Sequence, residues 1–118
     1  MFSNALLYED RYFVYVLKCC GDVFYTGMTA RLVNRMWHHI MGKGAVFTRK
    51  HLPVDLIHLE IKETYSEAIR RETEITRMTR KGNFYCNIPN EFIGFYHQVA
   101  GMSSKHCKDY CLKNIQLP

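Results

Sequence analysis

The sequence predicts an α/β fold: a small antiparallel three-stranded sheet flanked by helices, in the order β-β-α-β-α, with a C-terminal extension. Three observations predict it. "YFVYVLKCC" (12–20) is dense in β-branched and aromatic residues, and a Gly21-Asp22 turn signal separates it from a second such run, "VFYTG" (23–27). Two later stretches carry a helical period. So tight a connection between the first two strands allows only antiparallel pairing, and helices laid on a small sheet bury its faces.

Each element has a local reason. After the hairpin, Thr29 is placed to cap a helix whose apolar stripe is Leu32, Met36 and Ile40, with Val33 and Trp37 beside it. Gly42 stops that helix. "GKGAVFTRKHLP" (42–53) reads as a basic, glycine-punctuated loop. "VDLIHLEI" (54–61) reads as the third strand. Thr64 with Glu67, or Ser66 alone, caps a second helix running to about Arg80, and Lys81-Gly82-Asn83 ends it. Beyond it the pattern weakens: "NEFIGFYHQVAG" (90–101) suits a short helix, and the residues from 102 onward give no clear period.

In the hairpin, the position of two phenols depends on the turn. If Cys19 pairs with Val23 across a three-residue loop, Tyr15 and Tyr25 lie diagonally on one face; a two-residue turn would put them on opposite faces. The same-face arrangement is expected, from a three- or five-residue loop or a bulge. In the first helix, Arg31, Arg35 and His39 are spaced by four and form a stripe, either a solvated basic flank or a phosphate-facing edge. In the second, Ala68, Ile69, Glu72 and Ile75 share a side, so a carboxylate stands in the expected core-facing stripe. Such a group must be hydrogen-bonded, ion-paired or metal-bound, with Arg35, Tyr25 or Mg2+ as candidate partners.

Composition narrows the class. The chain has 118 residues, a net charge of +5 and a pI of about 9.0, which is a mild pull toward polyanions. No basic start followed by a sustained apolar run marks a secretory leader, and no apolar run approaches the ~20 residues of a membrane span. An intracellular setting, cytoplasmic or nuclear, is expected. Five cysteines, an odd number, argue for reduced thiols rather than a disulfide framework.

Taken together and in order, these residues resemble the GIY-YIG nuclease family. Phe13-Val14-Tyr15 stands for the first hallmark and Tyr25-Thr26-Gly27 for the second. Arg35 follows eight residues later, and His39 one turn further. "GKGAVFTR" (42–49) resembles the family's "GKGAKYTR"-type loop, and "SEAIRRETEI" (66–75) its "S-x-A-L-R-R-E" helix. The likeness is to the small stand-alone UvrC-like and YhbQ-like branch. It covers a core of about 12–80 within a single domain, 1–118, leaving an extension of about 83–118. One departure is Phe13 in place of glycine. The family's late asparagine has two candidates, Asn83 and Asn87. The extension itself would build a dimer face, extend DNA contact or complete the core.

The resemblance implies a metal-dependent endonuclease acting on DNA, branched, flapped or nicked, in repair, recombination or genome processing. Tyr15, Tyr25, Arg35, His39 and Glu72 would be the catalytic set. Glu72 would bind one Mg2+ or Mn2+ ion, Arg35 would neutralise the transition state, and one tyrosine, Tyr25 by preference, would be the general base. Glu72 would face inward because the catalytic face lies between the sheet and its helix. Arg31, Lys43, Arg49, Lys50 and His51 would hold DNA through phosphates, largely blind to sequence. Assembly as a homodimer or with an accessory protein stays open. Two competing readings are a DNA-binding module of the same fold without catalysis of its own, and a zinc-stabilised protein using His97, His106, Cys107 and Cys111, whose spacing matches no familiar site.

Overall fold

In the computed structural model the described residues are 11–102. Strand β1 (Tyr12–Cys19) is central, flanked antiparallel by β2 (Val23–Thr29) and β3 (Pro53–Lys62), in the order β2-β1-β3. Phe13, Val14, Tyr15, Val16 and Leu17 are all wholly buried. That explains why β1 reads as a continuous apolar run instead of alternating: helices cover both of its faces.

Cys19 pairs with Val23, so the hairpin turns through the three residues Cys20, Gly21 and Asp22. Gly21 and Asp22 both adopt positive φ, at 85° and 56°. Glycine does so without strain, and aspartate is among the few other residues that tolerate it. This register sets Tyr15 opposite Gly27 and Tyr25 opposite Leu17. Both phenols therefore share one face, as the three-residue loop requires.

On that face lie Phe13, Tyr15, Leu17 and Cys19, packed against Leu32, Met36 and Ile40 of helix α1 (Leu32–Ile40). Thr29 does not cap this helix. Arg31 occupies the cap position without a side-chain bond, while the Thr29 hydroxyl accepts the Arg31 N–H at 3.0 Å and closes the turn just ahead. At the other end Gly42 takes a φ of 73°. Its N–H bonds to the His39 carbonyl, and the Lys43 N–H to that of His38, a paired termination that needs a left-handed residue.

The segment 42–53 is not wholly a loop: Val46–Lys50 forms one helical turn, α2. So short a turn has no propensity signal of its own, and tertiary contacts through Phe47 and Thr48 hold it in place.

The opposite face carries Val14 and Val16 under helix α3 (Tyr65–Arg80), which presses Ala68 and Ile75 onto them. Thr64 caps α3 as expected, its hydroxyl accepting the Glu67 N–H at 3.2 Å. Ile69, read as core-facing, is 40% exposed. The inward stripe is narrower than the sequence suggested: Ala68 and Ile75 are buried on the sheet, with Met78 packed beside them.

The described part of the extension completes the core. After a 3-10 turn (Asn90–Phe92), helix α4 (Phe95–Met102) returns to the α1 face, where Phe92, Phe95, Tyr96 and Val99 are buried. On the way, backbone groups of Asn87 bond to Leu59 and to the His58 ring, covering the free edge of β3.

Candidate functional site

The cross-strand pair Tyr15–Gly27 is the foundation of the site. With no side chain at residue 27, the Tyr15 phenol lies across β2. Its hydroxyl stands 2.9 Å from Nε2 of His39 and accepts a hydrogen bond of 3.4 Å from Nε of Arg35. The Tyr25 hydroxyl bonds to the same guanidinium. Four of the five expected catalytic residues thus meet on one face of the sheet. The Tyr15, Tyr25 and His39 rings pack mutually, with centroids 5.5–6.4 Å apart.

The Arg31–Arg35–His39 stripe runs from solvent into the protein. Arg31 is exposed, Arg35 half-buried and His39 wholly buried, so it is not a solvated flank. His39 lies seven residues past Leu32, which is a core position of an amphipathic helix. Its other ring nitrogen, Nδ1, is 2.9 Å from the Thr48 hydroxyl, which donates to the Ala45 carbonyl at 3.0 Å. Thr48 is a residue the sequence reading did not single out. The signal was its place in the "GKGAVFTR" loop, where a buried threonine is one of few groups able to meet an imidazole. Gly44 in the same loop presses so closely on the His39 ring that a Cβ there would overlap Nδ1.

Burial and neighbours set the charges. Burial pushes the Tyr15 phenol well above its ordinary range; Arg35 offsets part of this, and Tyr25 and Glu72 add to the rise. For His39, burial, then Arg35 and His38, lower the pKa to about 4, so the ring is neutral. Burial works against the charge of Arg35, but the bonds to Tyr15 and Tyr25 outweigh it and hold the proton more firmly. The Arg35 cation thus stands beside the buried Tyr15 phenol and a neutral imidazole.

Glu72 reaches this group differently from the expectation. The polar cluster lies on the α1 face, whereas α3 covers the opposite one, so the site is not the seam between sheet and α3. Helix α3 packs chiefly on β2 and β1. The Glu72 charge is nevertheless felt at the Tyr15 phenol. The carboxylate is half-buried and, among the described residues, has neither a hydrogen-bond nor an ion-pair partner; burial alone raises its pKa. A desolvated carboxylate without a partner fits a hydrated divalent cation, which takes one or two carboxylates and keeps several waters. Among the described residues no three acidic, histidine or cysteine side chains gather, so Glu72 offers a single ligand.

A carboxylate–arginine pair of the kind considered for Glu72 is made by other, half-buried residues. Glu60 on β3 accepts from Nε of Arg71 at 2.9 and 3.0 Å, from His58 at 2.7 Å, and pairs with Lys62 at 3.2 Å. Burial opposes ionisation of Glu60, but the bonds from Arg71, His58 and Lys62 overcome it and bring its pKa to about 2. This network ties α3 to β3 and is separate from the phenol cluster.

The residues expected to contact phosphate after Arg31 lie in the segment that follows α1 and in or just after α2. Lys43, Arg49 and Lys50 are exposed and His51 half-buried. Helix α2 is held against the site by Phe47, stacked on Tyr25 at 6.0 Å and packed on His51 at 4.8 Å. Asn83 and Asn87 are both exposed; Asn87 is fixed to the β3 edge, across the sheet from β2, and neither side chain touches the cluster among the described residues. His97 is exposed and faces Asp55, while His106, Cys107 and Cys111 lie outside the described residues. Cys19, Cys20 and Cys86 are free thiols. No described helix is long and apolar enough to cross a membrane.

An antiparallel sheet carrying two phenols on one face, with an arginine and a histidine of α1 packed against them, defines a small α/β module. The model of the GIY-YIG catalytic domain matches residues 11–85, and the chain belongs to that family. Similar proteins include a UPF0213 protein of Haloquadratum walsbyi, 40% identical over 73 residues, which span 62% of this chain and 82% of the relative. A UPF0213 protein of Cupriavidus necator is 36% identical over 83 residues, 69% of this chain and 90% of the relative. One from Staphylococcus aureus is 42% identical over 72 residues, 61% of this chain and 88% of its own. No solved structure gives a significant match. The family supports a nuclease-type activity in general.

Proposed function

We propose that this protein is a metal-dependent endonuclease that hydrolyses DNA phosphodiester bonds, directed by DNA structure or only weakly by sequence. The observation that carries this reading is the meeting of Tyr15, Tyr25, Arg35 and His39 at the β2 edge, with the unpartnered Glu72 carboxylate within electrostatic reach. Hydrolysis requires an activated water, neutralisation of the phosphoryl oxygens and help for the departing 3′-oxygen.

Glu72 would hold the divalent ion, Mg2+ or Mn2+, whose chemistry is to polarise the scissile phosphate and stabilise the leaving oxygen. Arg35, fixed by two phenols, neutralises charge on the phosphoryl oxygens, a preorganised electrostatic role. Tyr25 is the general base. It is half-buried and can meet a water, whereas Tyr15 is wholly buried and its hydroxyl already serves His39 and Arg35. Water would then attack phosphorus as its proton passes to the Tyr25 oxygen, acting as phenolate, and the P–O3′ bond breaks, the 3′-oxygen taking up a proton from solvent. Tyr15 and His39 position Arg35.

Arg31, Lys43, Arg49, Lys50 and His51 would grip phosphates around this centre. Such contacts carry no base information, which supports a role in repair, recombination or genome processing at branched, flapped or nicked DNA. The test is incubation of flapped and branched duplexes with Mg2+ or Mn2+, comparing wild type with Glu72→Ala. The expected result is nicking by the wild type and a loss of at least about a hundredfold in the variant. Cleavage that Glu72→Ala leaves untouched removes the mechanism. Tight DNA binding without cleavage by the wild type makes the protein a binding module of the same fold.

A further inference from the structure

We propose that Thr48 is a positioning residue: it accepts the Nδ1–H of His39, fixes that tautomer, and so keeps bare Nε2 turned to the Tyr15 hydroxyl.

The argument is one of counting protons. A hydroxyl has one hydrogen and two lone pairs. Thr48 Oγ1 donates to the Ala45 carbonyl at 3.0 Å, and a carbonyl can only accept. The contact of 2.9 Å between Thr48 Oγ1 and His39 Nδ1 must then be donated by the ring. A neutral imidazole has a single N–H, so Nε2 carries a lone pair. The Tyr15 hydroxyl, 2.9 Å away, donates to it. The Tyr15 oxygen is left to accept from Nε of Arg35 at 3.4 Å. The order is Arg35 to Tyr15 to His39 to Thr48 to Ala45, each donor used once, and no buried side-chain nitrogen or oxygen among the described residues lacks a partner.

The reverse order fails at both ends. Were Nε2 protonated, Thr48 would have to abandon the Ala45 carbonyl to serve Nδ1. Tyr15 would accept from both His39 and Arg35, and its own proton would turn toward the substrate side. The Ala45 carbonyl belongs to the residue capping α2, three positions before Thr48, so the anchor is backbone and cannot rotate away. Gly44 lets this loop lie against the ring. One threonine thus decides whether the Tyr15 proton is given to His39 or left free, while its oxygen accepts from Arg35 in either case. The consequence for catalysis rests on the nuclease reading; the tautomer does not.

The experiment is long-range 1H–15N NMR of the His39 ring in wild type, Thr48→Ser and Thr48→Val, with cleavage rates measured on the same samples. Expected are the Nδ1–H tautomer in wild type and Thr48→Ser, the Nε2–H tautomer in Thr48→Val, and a fall in kcat of at least tenfold in Thr48→Val with KM little changed and serine restoring it. An Nε2–H tautomer in the wild type overturns the proposal, even if Thr48→Val does not fold. So does a Thr48→Val protein that keeps the Nδ1–H tautomer, or one that changes tautomer at full kcat. Wild-type protein with the Nδ1–H tautomer and no cleavage of any DNA would sink the nuclease reading and leave the tautomer assignment standing.

Discussion

The Tyr15 phenol and the Gly27 backbone leave no room between them for a side chain: a Cβ at residue 27 would lie 2.5 Å from the Tyr15 hydroxyl oxygen and 2.6 Å from the ring carbon that bears it. Tyr15 cannot retreat, because it is wholly buried and bonded to both His39 and Arg35. Gly27→Ala is therefore expected to cost about 1–3 kcal/mol of stability through overpacking. It should also displace Arg35 and lower cleavage well beyond what the stability loss explains. Urea unfolding alongside single-turnover cleavage checks both; an alanine variant of wild-type stability and rate would contradict the contact.

The neutral state of His39 makes stability depend on pH in a defined window. Its folded pKa is about 4, below the ordinary value of 6.5. As pH falls from 6.5 to 4 the unfolded chain takes up a proton that the folded chain refuses, so stability falls, by about 3 kcal/mol when the window is fully crossed. Glu60 acts lower, between 4.5 and about 2, in the same direction. Unfolding free energies between pH 7 and 4.5 should thus slope downward in wild type and less so in His39→Gln.

Glu72 carries the opposite sign. Burial raises its pKa, so the folded state holds the proton more tightly than the unfolded chain. A carboxylate in that position lowers stability above the ordinary carboxylate range, and the penalty vanishes as pH drops below it. Glu72→Gln should be neutral or slightly stabilising at pH 7 without metal. Added Mn2+ should raise the wild-type melting temperature, with about 1.4 kcal/mol gained at ten times its Kd, and leave the variant unmoved. Equal Mn2+ shifts in both proteins would take the ion away from Glu72.

Arg71 offers a structural control on the same helix. Its guanidinium satisfies the Glu60 carboxylate from a position outside the phenol cluster. Arg71→Ala should cost about 1–3 kcal/mol by leaving that acceptor under-bonded, while cleavage at a temperature well below melting stays within a few-fold of wild type. A collapse of cleavage with stability intact would mean that the two networks are coupled.

Much of this was legible in the chain because it is local. Loop length sets the hairpin register, and with it the shared face of Tyr15 and Tyr25. Threonine and glycine mark where α3 begins and where both long helices stop. What stayed hidden depends on tertiary geometry. The turn Val46–Lys50 is too short to carry a period, and it exists because Thr48 meets His39. The burial of His39 was available from its spacing to Leu32, but a basic stripe masked it. The Glu60–Arg71 pair joins strand to helix and has no spacing to read. That Glu72 belongs to a helix covering the face opposite the phenol cluster depends on which face α3 covers, and a single helix cannot reveal that.

The central claim is that the Tyr25 oxygen, set against Arg35, takes the proton from the attacking water. Tyr25→Phe removes that one oxygen and keeps the ring that stacks on Phe47. The most direct test is the single-turnover cleavage rate of a flapped duplex in Mg2+ by this variant and by wild type, with DNA affinity measured in parallel. The account predicts a fall of about a hundredfold or more at unchanged affinity, in line with loss of general-base catalysis. A rate within twofold of wild type would contradict it.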